Sequence, residues 1–143
     1  MMQDFVKTYA NTAATTEDFK SMVEKHMTGG MRAVNGVNMD WFFDEYVYGT
    51  QLPNYHFDYT RFEPNPAGDM VFSFKLTQSG VDDKFRMLVP IYLEMNEGKS
   101  MFLGRAVISG NGSLQQKITL TGLKTAPRRA LINYYDDILG VEN

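Results

Sequence analysis

His26 and His56 are the only histidines in this 143-residue chain, and it contains no cysteine. Thiolate zinc sites, disulfide frameworks and cysteine nucleophiles are therefore excluded. A helical zinc site of the H-E-x-x-H kind needs two histidines one turn apart with a glutamate between them as general base, and the sequence has none. Joining His26, His56 and a carboxylate would require two distant segments to converge, and isolated histidines are mostly structural or exposed. A Ser-His-Asp triad meets the same shortage of partners. Asp82-Asp83 and Asp136-Asp137 are adjacent acid pairs. The first follows Gly80, where turn formation explains it more simply than acid/base catalysis.

The loop "GGMRAVNG" lacks the lysine and hydroxyl of a phosphate-binding loop and the alternating carboxylates of a calcium loop. Lys124, Arg128 and Arg129 form the densest basic cluster and read as solvated surface. With a net charge of −3 and a pI near 5.3, nothing favours nucleic acid or an anionic membrane as a partner. No stretch approaches the roughly 18 apolar residues that span a bilayer. The N-terminus lacks the basic start and unbroken apolar core of a signal peptide. Tyr55, Phe57, Tyr59 and Phe62 have two readings: a stacking platform for sugar or peptide, or packing of a first strand against the sheet and the helices. The ten methionines read as gap-filling core.

Stepping from these side chains to the elements that carry them, the hydrophobic period divides the chain. Residues 1–50 follow a helical period and predict about three helices. Phe5, Val6, Tyr9, Ala10 and Ala13 share one face. In "TTEDFKSMVEKHMTGG" Thr15 or Thr16 caps, Glu17 and Asp18 suit the positive helix end, and Gly29-Gly30 terminates. The apolar face of that helix is Phe19, Met22, Val23 and Met27; a loop, "GGMRAVNGVN", precedes a third helix from Asn38 or Asp40 to Gly49. Residues 51–143 follow a period of two. "DMVFSFKLTQS", "KFRMLVPIYLEM", "KSMFLGRAVIS", "SLQQKITLT" and "RRALIN" predict five or six strands of an antiparallel β-sandwich with a short closing segment. Pro90 argues for an edge position or a bulge. Asn111-Gly112 predicts a two-residue hairpin, both residues at positive φ, joining adjacent strands. The fold class is α+β.

"MDWFFDEYVYGTQLPNYHFDY" resembles the segment that ends the catalytic domain of zinc aminopeptidases of the membrane alanyl aminopeptidase (aminopeptidase N-like) family of gluzincin metallopeptidases. The resemblance lies in Trp41, Phe42, Phe43, Val47, Tyr48, Gly49, Pro53 and Tyr55, with Tyr46 where the family pattern has tryptophan. Thr16, Asp18, Phe19 and Val23 resemble the family's preceding helix, and "FRMLVPIYLEM" and "PRRALINYYDDILG" its accessory sandwich and closing segment.

The resemblance implies a bacterial hydrolase acting in proteolysis, with zinc expected in the full-length parent and its export an open question. No metal ligand or catalytic residue of the family has a counterpart here, so this chain is expected to hold no cofactor and to be inactive alone. Residues 1–50 would close a catalytic-domain-like region, and the sandwich would buttress the catalytic domain of the same polypeptide. At about 100° per residue, Trp41, Phe42 and Phe43 sweep some 200° of a helix, which marks a buried joint. Its expected packing residues are Trp41, Phe42, Phe43, Tyr46, Gly49, Pro53 and Tyr55. With the catalytic domain missing, Phe5, Tyr9, Phe19, Met22 and Val23 would form a self-association face for a homodimer. The alternative is a freestanding sandwich that binds carbohydrate or peptide through surface aromatics.

Overall fold

Thr15 begins the first well-capped helix. Its hydroxyl accepts the Asp18 N–H at 3.2 Å while the Asp18 carboxylate accepts the Thr15 N–H at 2.9 Å, a reciprocal capping box. The computed structural model describes residues 1–96, 98–123 and 125–142; Lys124 of the basic cluster lies outside the described residues, as does the side chain of Tyr59. The chain divides into two compact units, Met1–Thr50 and Gln51–Asn143.

The first unit holds four helices rather than about three: α1 (Met2–Thr8), α2 (Thr16–Lys25), α3 (Gly29–Asn35) and α4 (Asp40–Tyr46). The extra helix is the stretch expected to be a loop. Gly29-Gly30 does not terminate α2, which ends at His26; instead the pair opens α3 under a second cap, where Thr28 Oγ1 accepts the Met31 N–H at 3.3 Å. Gly36, at φ 83°, ends α3 in a conformation that suits glycine. The Arg32 guanidinium ties this turn down by donating to the carbonyls of Glu24 (2.9 Å) and Val37 (3.0 Å). The small helical core is Met27, Met39 and Phe43, with Phe19, Val23 and Phe42 packed on it.

The second unit is the expected antiparallel-rich sandwich, with seven strands among the described residues rather than five or six: β1 (Asn54–Pro64), β2 (Met70–Ser79), β3 (Arg86–Glu94), β4 (Ser100–Ser109), β5 (Gly112–Leu120), β6 (Arg129–Ile132) and β7 (Val141–Glu142). One sheet has the order β5-β2-β1-β7, the other β4-β3-β6. All pairs are antiparallel except β1–β7, a parallel pair of two residues. Period-two alternation turns Met70, Phe72, Phe74 and Leu76 of β2 inward, together with Met87, Val89, Ile91 and Leu93 of β3. In β1 the register slips between Asp58 and Arg61, where one extra residue forms a bulge. That slip restores parity: Phe57 pairs with Leu76 and Phe62 with Phe72, so an odd and an even position share one face.

The strands depart from expectation at Asn111-Gly112 and, for the edge alternative alone, at Pro90. Asn111-Gly112 is not a hairpin: β4 and β5 belong to different sheets, and the positive φ falls on Gly110 (60°) rather than on either predicted residue. The segment crosses from one sheet to the other. Asn111 serves that corner by holding the backbone of Val81, accepting its N–H at 3.2 Å and donating to its carbonyl. Pro90 lies on the central strand of its sheet, not at an edge. Its carbonyl accepts the Asn133 N–H at 2.9 Å, one residue past the end of β6. A strand residue points its nitrogen and carbonyl to the same side, so the missing N–H falls where β6 has run out. The bulge lies next door, where β4 carries the extra residue opposite Ile91 and Tyr92.

Candidate functional site

Aromatic side chains rather than catalytic groups dominate the candidate positions, and those on α4 stack on one another. Phe42 lies parallel to Tyr46 (centroids 5.0 Å, 20° between planes) and edge-on to Trp41 and Phe43 (both 5.8 Å). Phe43, 2% exposed, sits in the helical core, whereas Trp41, Phe42 and Tyr46 are half-buried. Burial, and after it the charge of Glu45, pushes the Tyr46 hydroxyl up to about 12. Gly49 is exposed, yet a Cβ there would sit 2.6 Å from the Asp44 carbonyl oxygen and 2.7 Å from that of Glu45. Only glycine lets the chain turn back this closely over the end of α4.

Pro53 and Tyr55 belong to the sandwich. Tyr55 is 1% exposed, with Gly140 so close that a Cβ there would meet its ring at 2.5 Å. The Pro53 carbonyl accepts the Val141 N–H at 2.9 Å. The seven residues expected at one joint are thus divided, five in the helical unit and two under the closing strand of the sandwich.

The residues of the expected self-association face make contacts within the helical unit, and all but Met22 remain partly exposed. Met22 is buried; Phe5 packs on Tyr9 (5.0 Å) and edge-on to Phe19 (5.2 Å); Val23 lies against the core. The Tyr9 hydroxyl donates to Asp18, and Asp4 joins α1 to α2 through His26 (2.8 Å) and Lys25 (3.1 Å). The hydrogen bond from His26 and then that from Lys25 hold the Asp4 carboxyl below its usual range. The larger exposed apolar side chains on this unit are Met1, Met2, Val6, Met31, Val34, Val37, Val47 and Tyr48, with Val37 80% exposed.

His26 and His56 pair with different acids, Asp4 and Asp58. Among the described residues no group of three histidine, aspartate or glutamate side chains could hold a metal ion. Asp82 accepts the N–H groups of Lys84 (2.8 Å) and Phe85 (2.9 Å), which is turn chemistry, and its carboxyl is lowered first by the Gln51 side chain and then by Lys84. Asp137 accepts the Tyr92 hydroxyl at 2.7 Å.

Of the aromatics with two readings, Tyr55 is buried, while the half-buried Phe57 packs on the buried Phe74 and the half-buried Phe62 stacks on the buried Phe72. The wet aromatics are elsewhere. Phe102, Tyr134 and Tyr135 surround Tyr92 with centroids 5.2–6.0 Å away, and Tyr135 is 60% exposed. The run "NYYDD" after the last predicted strand was the available signal, since paired tyrosines beyond a strand cannot both enter a core. Beside Tyr134, a groove of about 560 Å³ is lined by Leu131, Ile132, Ile138 and Leu139 together with the charged Arg129, Asp136 and Glu142. No protein-family model matches this chain, and no curated protein matches its sequence.

Proposed function

We propose that this chain is the noncatalytic closing region of a zinc-dependent, aminopeptidase-like metallopeptidase. In this reading Met1–Thr50 supplies the last helices of a catalytic body, and the sandwich buttresses that body and limits access to its cleft. The observation that supports it is how little the helical unit buries. Its buried apolar side chains among the described residues are Met22, Met27, Met39 and Phe43, and α1 and α3 bury none. Met31 and Val34, one turn apart on α3, are 37% and 41% exposed, and Val37 just beyond is 80% exposed. At about fifty residues a core is marginal even when well filled, and short helices draw their stability from tertiary packing rather than propensity. Such helices suit a surface against which a further body packs. The similarity of residues 39–55 to the family's joint segment supports the same reading.

The test is the reading frame around this sequence. An in-frame H-E-x-x-H with a downstream glutamate ligand is expected upstream. The longer product should release amino-terminal residues from aminoacyl reporter substrates and lose that activity on chelation, whereas the 143-residue chain should do neither. A frame without the zinc motif, or reporter cleavage by the short chain, would overturn the proposal.

A further inference from the structure

Strand β6 is the edge of its sheet, paired with β3 on one side and, among the described residues, with no strand on the other. Because the Asn133 N–H points at Pro90 and backbone groups alternate sides along a strand, Leu131 faces β3. Ala130 and Ile132 therefore turn their N–H and C=O groups toward the open edge while their side chains are buried in the core. Among the described residues no strand pairs with this side of β6, and the last strand, β7, joins β1 in the opposite sheet. The groove of about 560 Å³ borders this edge and is lined by the side chains of Leu131, Ile138 and Leu139, with Arg129, Asp136 and Glu142 also along it.

We propose that this edge docks a short extended peptide with alternating apolar residues, which adds to the β4-β3-β6 sheet as a fourth strand. Main-chain hydrogen bonds to Ala130 and Ile132 would give affinity, and the groove would take every second side chain. Charge sets the direction. At the start of β6, Arg128 and Arg129 share the single carboxylate of Glu94 (3.2 and 2.5 Å), which leaves an excess positive charge. Asp136 lies past the other end of the strand. A peptide running antiparallel to β6, with a basic residue at its amino end and an acidic one at its carboxyl end, matches both. The site is built from sandwich residues alone, so its test on this chain is separate from the test of the function proposed above.

The probe is the heptapeptide Lys-Val-Thr-Val-Thr-Val-Asp, titrated into the intact chain, beside a version with proline at its centre. Amide exchange at Ala130 and Ile132 should slow at least about tenfold with the first peptide and not with the second, which lacks the central N–H. Leu139→Glu, at a position 67% exposed and therefore tolerant of change, should weaken binding about tenfold or more while leaving the melting curve in place. Unchanged exchange at millimolar peptide, or equal protection by both peptides, would overturn the proposal. So would protection that appears without peptide and grows with protein concentration, since a second copy of the chain would then be the occupant.

Discussion

A Cβ at Gly110 would lie 3.1 Å from the carbonyl oxygen of Asp83, on a backbone whose φ of 60° already disfavours a side chain. Gly110 also donates its N–H to Phe85 (2.7 Å) and accepts from the buried Gln78 amide (2.8 Å), so the corner cannot shift without losing both. Gly110→Val should therefore destabilise the sandwich by more than about 1 kcal/mol. Gly112→Val should have little effect, because Gly112 opens β5 at negative φ with open space around it. Paired chemical melts of the two variants check this, and equal losses would contradict the crossover geometry. The Asn-Gly pair drew the sequence reading to the wrong glycine because a hairpin signal says nothing about which sheet the next strand joins. Thr15 was legible as a cap from its own segment; Thr28 was not, because two glycines after it looked like an ending.

The α1–α2 element depends on carboxylates. Asp4 and Asp18 are both held below the usual carboxylate range: Asp4 by His26 and then Lys25, Asp18 by the Thr15 N–H and then its hydroxyl. A lowered folded pKa contributes stability that is present above the unfolded value and is lost as the pH falls through the folded one. Helical content followed by circular dichroism should hold at neutral pH and fall as the pH drops below the ordinary carboxylate range. Asp18→Asn should flatten that acid limb; an unchanged limb would remove the capping box from the account. Elements with a strong period were legible, as β2 shows by alternating along its whole length. Elements fixed by long-range partners were not. Two-residue β7 has no period of its own and exists because β1 lies beside it. The β1 bulge that brings Phe62 inward is likewise set by the pairing with β2.

At the scale of the molecule, the two units differ in how much they bury, and their opening should differ accordingly. Native-state amide exchange should show Thr16–Lys25 and Asp40–Tyr46 opening at lower free energy than β2 and β3, and brief proteolysis should cut within residues 1–50 first. Uniform protection across both units would weaken the case that the helices lack a covering body. The change of period near residue 50 was visible in the sequence. The unpaired side of β6 was not, because it follows from the choice of β1 rather than β6 as the partner of the last strand. That choice also bears on synthesis. Tyr55 and Pro53, at the start of the first strand, are covered by Gly140 and Val141 near the other end of the chain. A nascent chain can form its first hairpin early, yet that strand stays uncapped until nearly ninety further residues have left the ribosome. Until then the growing polypeptide carries a first strand whose start lacks its final cover.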